Sequence, residues 1–123
     1  MQIARDETQA IFKIQHYGRD GAVINDVTYT RSLILTPDAM HLDWPPQNFA
    51  ELLPTHLEML IALEPTLVII GTGLIHHMLP ETWRLPFYTR HIGIETMRST
   101  AACQLYQVMM SEHRQAILGL LIY

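Results

Sequence analysis

From Ile11 to Tyr17 the side chains alternate, with Phe12, Ile14 and His16 on one face and Lys13 and Gln15 on the other. Period-2 alternation predicts a half-buried strand. Gly18-Arg19-Asp20-Gly21 supplies a turn. Ala22–Ile24 and Val27–Thr30 flank Asn25-Asp26, a pair that tolerates the positive φ of a tight hairpin. Ser32–Thr36 reads as another strand stopped by Pro37-Asp38, and Met40–Leu42 as a short extended piece before the Asp43-Trp44-Pro45-Pro46 loop. Residues 1–10 show no periodicity and are expected to form a loose arm.

The pattern changes near residue 47. Asn48-x-x-Glu51 and Thr55-x-x-Glu58 both have the spacing of a capping box, in which side chains satisfy orphan backbone N–H groups. They predict helices over 48–53 and 56–64, the second with Leu57, Leu60 and Ile61 on one stripe and Pro65 at its end. Thr66–Ile70 is β-branched or apolar at successive positions, the signature of a strand covered on both faces. Gly71-Thr72-Gly73 reads as the turn after it. Pro80–His91 is expected to be helical, with Pro86 breaking or kinking it. Gly93–Met97 is the next strand, Ser99 or Thr100 caps a helix running to about Met110, and Ala116–Ile122 closes the chain as an apolar strand. Strands alternating with helices in the second half imply an α/β layer, with the N-terminal hairpins added to it.

Composition narrows the class. The chain has 123 residues, 49% hydrophobic and 16% charged. That suits one core rather than two, so residues 11–123 are read as a single domain. The formal net charge of −4 disfavours a nucleic-acid surface. Cys103 is the only cysteine, which fits a reducing compartment. The opening MQIARDETQA lacks the apolar core of a secretory signal. The greasiest stretch, Leu57–Ile75, is interrupted by Glu58, Glu64 and Pro65, short of the ~20 apolar residues of a membrane span. A cytoplasmic domain with no membrane span is the expectation.

Three blocks resemble one family. They are Tyr17-Gly18 … Val23-Ile24-Asn25 … Tyr29 … Ser32–Leu35 … Pro37, then Gly71-Thr72-Gly73, then Gly93-Ile94-Glu95-x-Met97 … Thr100-Ala101-Ala102-Cys103-x-x-Tyr106. Together they are similar to a small domain family of largely unknown function that includes the mitochondrial complex I assembly factor 3 and the adipogenesis-associated domain protein. The resemblance spans roughly residues 9–122. It implies a single three-layer α/β domain with a central mixed β-sheet, and no established catalytic activity. The family usually has Arg after the Cys, Asn after the Tyr and Asn-Gly in the hairpin, where this chain has Gln104, Gln107 and Asp26. An anion-binding role resting on that arginine does not transfer.

Candidate chemistry is sparse. Gly71-Thr72-Gly73 follows a buried strand, where a dinucleotide loop would sit, with Glu95 near the end of the next strand. The third glycine of a Rossmann fingerprint is replaced by His76, so the glycines are better explained by turn geometry. Cys103 lies in the first turns of a helix, where a thiol pKa can fall, but small-side-chain packing beside Ala101 and Ala102 explains it more simply. The seven histidines show no HExxH, CxxC or His-x3-His spacing, so neither a metal nor a cofactor is expected. Trp44 in its proline loop, and Trp83 with Phe87 and Tyr88, are read as candidate anchors for a protein partner. The leading expectation is a non-enzymatic protein-binding or assembly-associated domain, with no catalytic residues assigned. The alternative is a small-molecule or nucleotide binder, or an enzyme, whose pocket gathers Gly71, Thr72, Gly73, Glu95, Ser99, Thr100 and Cys103.

Overall fold

The computed structural model describes residues 11–123, so the arm expected over 1–10 lies outside the described residues. Three strands, β1 (Ile14–Gly18), β2 (Gly21–Ile24) and β3 (Val27–Tyr29), form an antiparallel sheet in that order. Asn25 and Asp26 make the β2–β3 turn at φ 49° and 70°. These are the left-handed values a two-residue hairpin needs, and Asn and Asp reach them at little cost. Then follow β4 (Leu33–Leu35), β5 (Met40–His41), a 3₁₀ turn (Phe49–Glu51), α1 (Pro54–Ile61), β6 (Leu67–Thr72), α2 (Glu81–Thr89), β7 (Gly93–Met97), α3 (Ser99–Ser111) and β8 (Ala116–Leu121).

The second sheet has the order β5-β4-β8-β6-β7. Strands β8, β6 and β7 run parallel, while β4 is antiparallel to β8 and β5 to β4. The fold is therefore mixed α/β, with a five-stranded mixed sheet, three helices and an added three-stranded N-terminal sheet. The last strand in sequence is the middle strand in space.

Both faces of that sheet are covered, and β8 shows how. Ile117 and Leu121 enter one core with Trp44, Leu57, Leu60 and Phe87. Ala116, Leu118, Leu120 and Ile122 enter the other, with Ala22, Ile24, Ala102, Tyr106 and Met110. The six residues of β8 are buried throughout. Alternate side chains point to opposite faces, so a strand covered on both reads as a continuous apolar run.

Local rules were overridden in four places. The Asn48 side chain accepts from Glu51 N–H at 3.1 Å, but the Glu51 carboxylate reaches back to Gln47 N–H at 2.9 Å, one residue beyond a standard box, and only a 3₁₀ turn results. The box expected at Thr55 does not form. Pro54 takes the first helical position, where its fixed φ and missing N–H suit a helix start. Leu53 becomes the N-cap, with its N–H donated to His56 Nδ1 at 2.9 Å. Helix α2 runs through Pro86 from Glu81 to Thr89. Ser99 and Thr100 are not caps either, because Arg98 is the N-cap and both residues lie inside α3.

Candidate functional site

Three places carry the chemistry that the sequence offers. The first lies where β6 ends. Gly71 and Thr72 belong to the strand itself, and only Gly73, at φ 97°, makes the turn. Ser99, fully buried in the first turn of α3, accepts from Gly73 N–H at 2.8 Å and donates to the Leu121 carbonyl at 2.6 Å. Its hydroxyl thus stands where the next rung of the parallel β6–β8 ladder would join those two groups. Ser99 N–H in turn donates to the Gly73 carbonyl at 2.9 Å. A Cβ on Gly71 would meet Ser99 Oγ at 2.7 Å, and one on Gly73 would meet the Tyr123 carbonyl at 2.5 Å. These two glycines are set by close approach.

Thr72 fills the neighbouring space. Its hydroxyl donates to the Ile75 carbonyl at 2.7 Å, has the Met97 carbonyl at 3.2 Å, and accepts from His77 N–H at 3.1 Å. Strand β6 leads into α2 on one face and β7 into α3 on the other. In open α/β sheets such divergence opens a ligand crevice at the carboxyl ends of the strands. Here two hydroxyls, each bonded to backbone on both sides, fill the fork between the strands, and Thr72 also forms part of the wall of an apolar cleft beside it.

The second place is a cleft of about 450 Å³ between β1 and α3, lined by Thr100, Cys103, Gln104 and Gln107 from the helix and His16 and Tyr17 from the strand, among others. Gln107 also ties the two elements, donating to the Ile14 carbonyl at 3.2 Å. Cys103 is only 5% exposed. Burial pushes its thiol up to about 12, the direction opposite to that of a reactive thiolate. Burial likewise raises Tyr17, partly offset by the neighbouring Ser99 hydroxyl, and the Tyr17 hydroxyl donates to the Ile122 carbonyl.

The third is an apolar cleft of about 350 Å³ at the carboxyl end of β6, walled by Phe49, Leu74, Ile75, His77 and Tyr123. The Phe49 and His77 rings stack with centroids 4.4 Å apart and planes 8° from parallel. Leu74, Ile75 (66% exposed) and Met78 (68% exposed) leave much apolar surface open on one loop.

The residues expected to share a pocket are therefore divided. Gly71, Thr72, Gly73 and Ser99 form the hydrogen-bonded node, Thr72 also lines the apolar cleft beside it, and Thr100 and Cys103 line the β1–α3 cleft. Glu95 lies exposed on β7 and lines neither cleft. Among the described residues, no group of three or more His, Cys, Asp or Glu side chains is placed to hold a metal ion.

The family model for a protein of unknown function, DUF498/DUF598, matches residues 14–121. The chain belongs to the DUF498/DUF598 family. Solved structures agree with the fold. A Xanthomonas campestris protein, XCC1710, is 27% identical with a TM-score of 0.84, over 99% of this chain and 92% of that one. A Bordetella parapertussis protein is 26% identical with a TM-score of 0.86, over 94% and 98%. A Bordetella pertussis protein described as an Mth938-like domain is 22% identical with a TM-score of 0.81, over 92% and 87%. No curated protein matches the chain.

Within this DUF498/DUF598 domain, the tryptophan expectations need correcting. Trp44 is 1% exposed, not a loop anchor. Its Nε1–H donates to the His56 carbonyl at 3.2 Å, and its ring lies over Gly119, where a Cβ would meet Trp44 Cη2 at 2.8 Å. A large aromatic here fills the space left by a strand residue without a side chain. Phe87 is fully buried in the same core, and Trp83 packs half-buried against it. Among the exposed apolar residues that sequence reasoning missed, Leu74, Ile75 and Met78 share one loop. Their signal was an apolar run between Gly73 and Pro80 that fits neither strand alternation nor a helical stripe.

Among the described residues, no helix is long and apolar enough to cross a membrane.

Proposed function

We propose that this domain is a non-enzymatic, cytoplasmic protein-binding module of the assembly-associated kind, which receives an apolar side chain of a protein partner beside the Leu74–Met78 loop. The observation that carries the reading is the exposed apolar surface of Leu74, Ile75 and Met78 next to an apolar cleft. Soluble domains seldom leave such groups contiguous without a use. The resemblance to a family containing an assembly factor points the same way. The buried, proton-holding Cys103 and the self-satisfied Ser99 and Thr72 hydroxyls supply no activated nucleophile.

The test is site-specific photo-cross-linking in the native host, with a benzophenone amino acid at Ile75. One discrete adduct, lost on Leu74→Asp, is expected. An adduct pattern matching that from a control site at Asp26 in the hairpin turn overturns the reading.

A second reading, a small-molecule binder or enzyme, is favoured by one observation, the β1–α3 cleft with its polar lining of His16, Thr100, Gln104 and Gln107. It uses Thr100 and Cys103 of the residues first expected, without the Gly71–Gly73 turn or Glu95. Native mass spectrometry of protein purified from its host would reveal a retained ligand, and a mass equal to the bare chain counts against it.

A further inference from the structure

Glu95 has no place in the node or in either cleft, and its surroundings suggest a use. Among the described residues, strand β7 is an outer strand of the five-stranded sheet. Gly93 N–H donates to the Thr66 carbonyl at 3.0 Å, so the odd-numbered residues of β7 turn their backbone groups toward β6. By alternation, Ile94 and Thr96 turn N–H and C=O outward. Such an edge is a template for another strand unless it is protected.

The other edges among the described residues are protected. Strand β5 has two residues and β3 has three. Strand β1 carries a register shift between Ile14 and His16, and α3 packs against it. Strand β7 pairs with β6 in unbroken register over five residues and contains no proline. Its one charged residue is the exposed Glu95 at its centre. The edge is also continuous with the apolar loop, because His76 Nε2 lies 3.4 Å from Thr96 Oγ1.

We infer that the β7 edge accepts an extended segment of a partner protein carrying a lysine or arginine opposite Glu95. This deepens the protein-binding reading and rests on it. Charge decides against a second copy of this chain. Antiparallel pairing of two β7 strands that uses both outward residues sets Ile94 against Thr96 of the second copy. It therefore places the two Glu95 side chains directly opposite, in a pair with Cα atoms about 4.5 Å apart. Like charges directly opposite destabilise a pair, and opposite charges favour it. Glu95 thus discourages self-pairing at the β7 edge and selects a basic segment there.

The experiment uses ¹⁵N-labelled full chain and a nonapeptide of alternating threonine and valine with a central lysine, N-methylated on alternate residues to block its own association. A matched peptide carries a central glutamate. Amide shifts and exchange protection at Ile94 and Thr96 report binding. The lysine peptide is expected to shift these two amides at millimolar concentration and to bind about fivefold more tightly than the glutamate peptide, the scale of a cross-strand charge pair. Glu95→Lys should reverse the order while leaving spectral dispersion intact. Shifts absent from Ile94 and Thr96, or equal binding of both peptides, overturn the inference. So does concentration-dependent protection of those amides without peptide, strengthened by Glu95→Gln, which would make a second copy the occupant. Failure here leaves the Ile75 cross-linking result untouched, so the edge and the binding reading fall separately.

Discussion

Replacing Ser99 by alanine separates a structural hydroxyl from a functional one. The hydroxyl is fully buried, accepts from Gly73 N–H at 2.8 Å and donates to the Leu121 carbonyl at 2.6 Å. Ser99→Ala leaves both backbone groups buried without that partner, at about 1–3 kcal/mol each. The two could recover by bonding directly, but that means drawing the ends of β6 and β8 together by the width of a hydroxyl. Gly73 is already tight there, since even a Cβ would lie 2.5 Å from the Tyr123 carbonyl. The expected loss is therefore about 2–4 kcal/mol, a large part of the ~5–15 kcal/mol of a typical domain. Urea unfolding followed by tryptophan fluorescence suits the question, because Trp44 is buried in the native core. With a slope of about 1.5 kcal/mol per molar urea, the midpoint should fall by roughly 1.5–2.5 M. Thr100→Ala, one residue on and exposed, should change stability by less than about 0.5 kcal/mol. If Ser99→Ala unfolds at the same urea concentration as Thr100→Ala, the node does not hold β6, α3 and β8 together. Ser99 would then have to be kept for some other purpose.

Four further outcomes follow from the same geometry. Gly71→Ala forces a Cβ to within 2.7 Å of Ser99 Oγ and 3.0 Å of Ser99 Cα, and should cost about 1–3 kcal/mol. Combined with Ser99→Ala in a urea double-mutant cycle, the double variant should lose less than the sum of the two single losses, because one removes the atom the other strikes. Gly119→Ala should cost a similar ~1–3 kcal/mol and red-shift tryptophan emission, since its Cβ would displace the Trp44 ring. With its thiol raised from 9.0 to about 12, Cys103 should react with iodoacetamide at pH 8 roughly a thousandfold more slowly than in denatured chain, timed by mass spectrometry. The same raised value means the stability from this neutral thiol is full below pH 9 and lost as pH climbs toward 12. Cys103→Ala should flatten the first part of an alkaline denaturation curve, with Tyr17 and Tyr106, also raised by burial, acting in the same direction at higher pH.

Some of this was legible along the chain because the forces were local. The β2–β3 hairpin depends on two residues with left-handed φ, and Asn25-Asp26 states that directly. The buried strands β6 and β8 announce themselves as unbroken apolar runs, and β7 was read at its observed limits. Where the reading failed, the deciding contact was distant in sequence. Trp44 looked like a loop aromatic because nothing nearby says that Gly119 leaves room for its ring. Ser99 looked like a cap because capping is the commonest local use of a serine before a helix. Its actual partners, Gly73 and Leu121, lie 26 and 22 residues away. Thr55 failed for a local reason, competition with Pro54 for the helix start.

The position of β8 explains why a motif that resembles a ligand loop is occupied by the protein itself. The last strand must enter between β4 and β6, pairing antiparallel on one side and parallel on the other. Parallel pairing with β6 ends at Thr72 and Leu121, where the chains diverge toward α2 and the C-terminal residues. A backbone N–H and a carbonyl buried at such a fork need partners, and water has no access to supply them. Ser99 meets both needs with one hydroxyl, and it reaches them only because Gly71 has no side chain in the way. The glycines and the serine are thus a single solution to a topological problem. On the proposed reading, recognition falls to groups the fold does not consume, which are the Leu74–Met78 loop and the outward backbone of β7 with Glu95 at its centre.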